Sequence, residues 1–89
     1  MKAIIYGKGK NIENQFTECL NYAMLAGIEK TETASTIPDV IQRISKRDIN
    51  VVLVTSKNIL ADNDFEYDIV RSTFARYGTR IEITELWTL

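Results

Sequence analysis

The chain has 89 residues, of which 45% are hydrophobic and 26% charged, and its formal net charge is −1. That length makes one domain, spanning residues 1–89, and the composition is that of a globular rather than a disordered chain, with no internal repeat. The near-neutral balance excludes a domain-wide basic footprint for nucleic acid. One cysteine rules out a disulfide framework within a single chain, and the absence of histidine removes the commonest general base and transition-metal ligand.

Lys2–Tyr6 (KAIIY) is a short apolar, β-branched run that predicts a buried strand. Gly7-Lys8-Gly9-Lys10-Asn11 breaks the pattern. In Ile12–Gly27 the apolar residues Ile12, Phe16, Cys19, Leu20, Ala23 and Met24 recur at helical spacing and predict one apolar helix face. Gly27 is placed to end that helix in a left-handed conformation. Cys19 lies on the apolar face and reads as a small core residue.

Ile28–Ala34 (IEKTETA) alternates and carries threonine, which predicts a polar edge strand. Ser35-Thr36-Ile37-Pro38-Asp39 is a helix start, with a hydroxyl cap, proline in the first turn and an acid at the positive helix end. Val40, Ile41 and Ile44 form the stripe of that helix, which stops near Lys46 or Arg47. Asp48–Thr55 (DINVVLVT) has no alternation, so it predicts a strand covered on both faces at the centre of a parallel sheet. Ser56–Leu60 then leaves on the same sheet edge as Gly7–Asn11.

Asp62, Asn63 and Asp64 offer caps for a third long helix, with Phe65, Ile69, Val70, Thr73, Phe74 and Tyr77 on its buried face and Gly78 as its stop. Thr79–Leu86 alternates again and predicts an edge strand. Trp87-Thr88-Leu89 is left as a tail carrying two large apolar residues. The βαβαβαβ order predicts a three-layer α/β sandwich with a mainly parallel four-stranded sheet. No apolar run reaches the roughly 18–20 residues needed to span a bilayer, and the N-terminus does not read as a signal peptide. A soluble, cytoplasmic protein with no membrane partner is therefore expected.

The Gly7–Asn11 loop invites an anion reading, because two glycines, two lysines and a helix start can hold a phosphate through Lys8, Lys10 and Asn11. The specific phosphate motifs are absent, since no G-x-x-x-x-G-K-[ST] occurs and Ile12 stands where a dinucleotide fingerprint needs its third glycine. Asp62, Asp64, Glu66 and Asp68 form an acidic run whose simplest reading is a helix start favoured by the dipole. No metal site and no cofactor are expected. The aromatic residues do not interleave with basic ones as a base-stacking surface does.

Lys2–Tyr6, Ile12-Glu13-Asn14-Gln15, Cys19, Tyr22-Ala23 and Gly27, taken together, resemble the start of the serine-recombinase catalytic domain, the resolvase and invertase family. That family shows a strand ending Tyr-Ala-Arg-Val-Ser, an Ile-Glu-Asn-Gln-like helix start and a Tyr-Ala…Gly helix end. Pro38 with Val40-Ile41-Gln42, the strand Asp48–Val54 and the passage Phe74–Ile81 continue the resemblance in order. It implies a resolvase-like fold over nearly the whole chain, and a history in DNA recombination.

The catalytic set departs from that pattern. The resemblance places Lys10 where the family has its nucleophilic Ser, and Lys8 where it has the preceding Arg. In Ser56–Asp62, Asn58 stands at the family's Asp, and Ile59 and Asp62 stand at two of its Arg positions. Ile37 stands at the Arg before the helix-starting Pro. Lysine cannot form a phosphoserine intermediate and lacks arginine's bidentate fork. The resemblance thus implies a vacated active site at Lys8, Lys10, Asn58, Ile59 and Asp62, with no catalytic residues. Family members continue into a long helix with dimer contacts and a DNA-binding region, which the 89 residues are expected not to include. The expected role is an inactive module that binds a protein partner or itself, with DNA left as a partner lacking a dedicated element. A small anion- or nucleotide-binding domain is the alternative, and a fragment of a longer recombinase the third reading.

Overall fold

The computed structural model describes residues 1–86. The expected tail Trp87-Thr88-Leu89 lies outside the described residues. Strand β1 (Lys2–Tyr6) leads through the Gly7–Asn11 loop into helix α1 (Ile12–Leu25), followed by β2 (Lys30–Ala34), α2 (Ile37–Lys46) and β3 (Val51–Val54). A short helix α3 (Lys57–Leu60), the long α4 (Asp64–Ala75), β4 (Arg80–Ile83) and a 3-10 turn at Thr84–Leu86 complete the order.

The four strands are parallel in the order β2-β1-β3-β4, with Ala3 opposite both Thr31 and Val51, and Val52 opposite Ile81. The strand read as the sheet centre is indeed internal, and the two polar strands are its edges. Alternation sends Ile4, Tyr6, Val52 and Val54 to one face, where they meet Val40 and Ile44 of α2 and Phe74 of α4. Ala3, Ile5, Val51 and Leu53 point to the other face and meet Cys19 and Ala23 of α1. Two long helices therefore cover one face and one helix covers the other, the doubly covered arrangement that all-apolar β3 requires.

Local signals set most boundaries. Thr36 caps α2 by accepting from Asp39 N–H at 3.3 Å. Gly78, at φ +77°, closes α4, and Thr79 N–H donates back to Phe74 C=O at 3.1 Å. Gly27, at φ +76°, does the same for α1, with Ile28 N–H donating to Ala23 C=O at 2.9 Å. That last bond makes Ile28 part of a helix end, so β2 begins two residues later than its alternation suggested. β3 is also shorter than Asp48–Thr55, because Ile49 N–H turns back to Arg47 C=O at 3.0 Å. β4 stops at Ile83 rather than running to Leu86. Its partner β3 ends at Val54, and Glu85 N–H then bonds Thr55 C=O at 3.2 Å within a turn.

Two helix faces differ from their periodicity. Leu20 and Met24, expected inside, are exposed on α1, and the inner face runs instead through Gln15, Phe16, Cys19, Tyr22 and Ala23. On α4, Phe65 and Ile69 are 75% and 52% exposed, and Tyr77 beyond it is exposed too, while Tyr67, Val70 and Phe74 pack inward. The six apolar residues of that stretch span two sides of the helix. At 100° per residue Phe74 lies opposite Phe65, so only one side can face the sheet.

Tyr22 shows what binds α1 to the far edge of the sheet. Its hydroxyl donates to the Glu82 carboxylate on β4, and Arg80 Nε holds the other carboxylate oxygen at 2.9 Å. The Tyr22 bond, first among the causes, lowers the Glu82 pKa from its ordinary 4.5, and the same bond raises that of Tyr22 from 10.0. Folding thus favours the Glu82 carboxylate, so its stabilisation is present above 4.5 and disappears as pH falls through the lowered value. On the alkaline side the stabilisation is present below 10.0 and is lost as pH rises through the raised value of Tyr22. Tyr22→Phe is expected to cost about 1 kcal/mol at neutral pH. In urea titrations across pH, its deficit against the parent should shrink toward both limits. A deficit independent of pH would assign the effect to packing.

Candidate functional site at the C-terminal sheet edge

The strand order places a crevice in the sheet. β1 connects to β2 on one side, while β3 connects to β4 on the other, so their C-terminal ends are the point where the winding reverses. The Gly7–Asn11 loop leaves β1 there, and Thr55–Asn63 leaves β3 beside it. The two stretches that carry the sequence-derived site residues therefore share one edge.

The first loop is held rigidly. Gly7 N–H donates to Ala34 C=O at 3.1 Å, which extends the β1–β2 ladder by one bond. A Cβ on Gly7 would lie 2.8 Å from Phe16 Cε1 and 3.0 Å from Gln15 Oε1, so the α1 side chains fill the space that another residue would need. Gln15 then clamps Lys8 from both sides: Lys8 N–H donates to Gln15 Oε1 and Gln15 Nε2 donates to Lys8 C=O, each at 2.9 Å. Gly9 sits at φ +92°, where side chains are strained. Lys8, Lys10 and Asn11 are exposed, and neither lysine has an ion pair among the described residues. Asn11 precedes α1 without capping it through its side chain. Lys10 and Asn11 line a shallow hollow of about 290 Å³ with Ile12, Glu13 and Asn14. This brings a cation and a helix start together, with the Glu13 carboxylate opposing any anion there.

The second stretch is organised differently from the loop expected at Ser56–Leu60. It forms α3, which turns Ile59 and Leu60 toward the core and leaves Asn58 exposed. Asn58 and Asp62 line a hollow of about 320 Å³ with Lys57, Ala61, Asn63, Asp64 and Tyr67. Lys57 Nζ is 3.1 Å from Asp64 Oδ1 and 4.6 Å from the centre of the Tyr67 ring, so this hollow's lysine is already engaged. Asn63 caps α4 by accepting from Glu66 N–H at 2.9 Å, and Glu66 Oε2 accepts from Asp62 N–H at 3.2 Å. Asn63 and Glu66 thus close the start of α4 from both directions, while Asp64 pairs with Lys57 and Asp68 with Arg71. Among the described residues, no three of His, Cys, Asp and Glu gather as a metal site.

Lys10 and Asn11 therefore meet in one hollow, Asn58 and Asp62 in another, and Ile59 faces inward. Ile37, at the start of α2, packs against the core. Cys19 is fully buried, 4.0 Å from Thr84 Oγ1, and burial pushes its thiol up to about 11. It is the inert core residue its position suggests. Sequence reasoning missed the Gln15 clamp and the Lys57–Tyr67 contact. Gln15 had a readable signal, being polar on the inner side of a helix between Ile12 and Phe16. The Lys57 contact had none, because it depends on how α3 turns.

This four-stranded parallel sheet with helices on both faces matches the fold of a serine-recombinase catalytic domain. The N-terminal catalytic domain of TP901-1 integrase is a solved structure with this fold. It superposes with a TM-score of 0.80 at 18% sequence identity, over 97% of this chain and 78% of that one. No protein-family model matches the sequence, and no curated protein matches it. Among the described residues, no helix is long and apolar enough to cross a membrane.

Proposed function

We propose that residues 1–89 form a single, catalytically inactive resolvase-like domain. It acts in the cytoplasm as a protein-interaction or regulatory module linked to DNA recombination or a mobile element. The observation that carries this reading is the charge at the β1–β3 crevice. Transfer of a DNA phosphoryl group to serine needs a hydroxyl and clustered arginines to hold the developing charge. The crevice offers Lys8 and Lys10 on one side, and on the other Asn58, an inward Ile59 and a hollow lined by Asp62 and Asp64. Lys57 in that hollow is paired with Asp64, so no cluster of free cations is offered to a phosphate there.

The test is strand cleavage of supercoiled plasmid carrying candidate recombination sites from the host. No cleavage and no covalent protein–DNA adduct are expected. Cleavage that Lys10→Ala abolishes would overturn the reading. Capture from the native host should recover a protein partner, with a recombinase as the first candidate.

The uncapped start of α1 beside Lys10 favours a second reading, a small anion- or nucleotide-binding domain using Lys8, Lys10 and Asn11. Thermal shift with phosphate, nucleotides and short oligonucleotides tests it. Stabilisation that vanishes in the Lys8→Ala/Lys10→Ala double variant would support it over protein docking.

A further inference from the structure

We propose that the N-terminal end of the sheet, on the side covered by α2 and α4, binds a single strand of nucleic acid. A base stacks on Tyr77, and Lys2, Lys30, Lys46 and Arg76 hold the phosphates. The inference goes beyond the readings above, since it places a nucleic-acid surface at the end of the sheet opposite the β1–β3 crevice.

The row where the strands begin carries uncompensated positive charge. Lys2 on β1 lies directly opposite Lys30 on β2, and on its other side Asn50 N–H donates to Lys2 C=O at 3.0 Å. Strand alternation sends both lysines to the face of Ile4 and Val52, where α2 and α4 pack. Like charges placed opposite each other destabilise a sheet, and no ion pair among the described residues relieves either lysine. Lys46 in the last turn of α2 and Arg76 at the cap of α4 come down to the same end, exposed and likewise without an ion pair among the described residues. Arg47 donates to both carboxylate oxygens of Glu32, at 2.7 and 2.9 Å, which ties the end of α2 to β2 two residues beyond Lys30. A cation at a helix C-terminus is accounted for by the helix dipole. The Lys2–Lys30 pair stands on strands, so the dipole does not account for it. At the opposite end of the sheet the first turns of α1, α2 and α4 carry Glu13, Asp39, Asp64 and Glu66, so the charges of the chain divide between the two ends.

Tyr77 is the second, independent observation. It is 47% exposed just beyond α4 and lines a hollow of about 380 Å³ with Ile44, Ser45, Lys46, Arg47 and Asp48. Along the chain this ring is remote from Lys46, and the fold brings the end of α4 beside the end of α2. An aromatic ring open to solvent among cations is the arrangement by which proteins hold single strands, the ring taking a base and the cations the backbone. A duplex keeps its base faces stacked on one another and offers Tyr77 nothing. An acidic peptide would match the cations and leave the ring unused. Asp48 in the hollow and the exposed Glu29 beside Lys30 oppose a phosphate, and both lack an ion pair among the described residues. Removing the Asp48 charge is therefore a change that should strengthen binding.

The test is fluorescence anisotropy of a labelled oligothymidylate of about ten nucleotides, titrated with the whole chain at a series of salt concentrations. Saturable binding is expected, with log K falling against log salt at a slope of about −3, roughly −0.7 for each of the phosphates that the four cations hold. Lys30→Gln and Lys46→Gln should each make that slope shallower by about 0.7. Tyr77→Ala should weaken binding by about fivefold or more at an unchanged slope, as loss of one stacked base does, and Tyr77→Phe should retain it. Asp48→Asn should tighten it. These side chains are exposed, so unchanged circular dichroism is expected in every variant. Absence of binding at low salt overturns the proposal, as does binding indifferent to Tyr77→Ala. A duplex of the same length, or polyglutamate, that competes as strongly as the single strand overturns it as well. Binding abolished by Lys8→Ala/Lys10→Ala, with the full salt slope kept in Lys46→Gln, would move the site to the other end of the sheet and also overturn it. No binding together with no DNA cleavage would overturn this proposal and leave the inactive-domain reading standing. DNA cleavage together with binding that depends on Tyr77 would overturn that reading and support this one.

Discussion

Phe74→Ala is expected to destabilise the protein by about 3–5 kcal/mol, the range for truncating a buried aromatic side chain. Phe74 is fully buried and is the largest such side chain among the described residues, packed with Val40, Ile44, Val52 and Leu60 where α2, α4 and the sheet meet. An 89-residue domain has a total stability of roughly 4–13 kcal/mol, so this loss takes a large share of it. Urea unfolding should show the midpoint falling with the slope unchanged, since the surface exposed on unfolding is similar. Phe65→Ala makes the internal comparison, because it is the same residue type on the same helix but 75% exposed. In dilute solution it should change stability by no more than about 0.5 kcal/mol. Equal losses at the two positions would mean that α4 is rotated from the orientation described.

The second large effect is expected at Gly7. Adding a single methyl in Gly7→Ala forces contact at 2.8 Å with Phe16 Cε1, 3.0 Å with Gln15 Oε1 and 3.1 Å with Ile12 Cγ1. None of the three yields freely. Phe16 is packed against the core under α1, and Gln15 is fixed by its two bonds to Lys8. Overpacking of this kind costs about 1–3 kcal/mol. For a chain of this length that is a fall in Tm of roughly 4–8 °C per kcal/mol. Gly9→Ala has open space around its Cβ but a backbone at φ +92°, so any loss there comes from strain alone. Differential scanning calorimetry of both variants separates the two mechanisms. If Gly7→Ala unfolds with the parent, the loop is not wedged against α1.

The fold was legible because its strongest signals are local. β3 is apolar without alternation and must be covered twice, and glycines at 27 and 78 stop helices where left-handed backbone is needed. What periodicity could not decide is which side of a helix faces in when apolar residues occupy both. On α1 the choice falls to Cys19 and Ala23, small enough for the helix to sit close on Ala3 and Val51, and Leu20 and Met24 are turned out as a result. On α4 the choice falls to Phe74. α3 was unreadable because its helix is four residues long, too short to show a period.

The candidate site was legible as a location more than as a geometry. The loop after β1 and the stretch after β3 were placed on one edge, and the strand order puts them at the reversal point. The division into separate hollows was not readable. It follows from α3 drawing Ile59 inward and from Lys57 being spent on Asp64 and Tyr67. The brace that fixes the loop was signalled only by a polar Gln15 on the inner side of α1, and its two bonds to Lys8 depend on the loop's path.

The place of β1 between β2 and β3 bears on how the protein emerges from the ribosome. Ala3 is paired with Thr31 on one side but with Val51 on the other, 48 positions further along the chain. At roughly 5–20 residues per second, β1 waits some 2–10 s after its own synthesis for β3 to exist. During that interval the apolar side chains of Ala3-Ile4-Ile5-Tyr6 have no sheet centre to join. β1 thus cannot take its internal place in the sheet until β3 is made, and its apolar side chains stay uncovered on that side for the length of the delay.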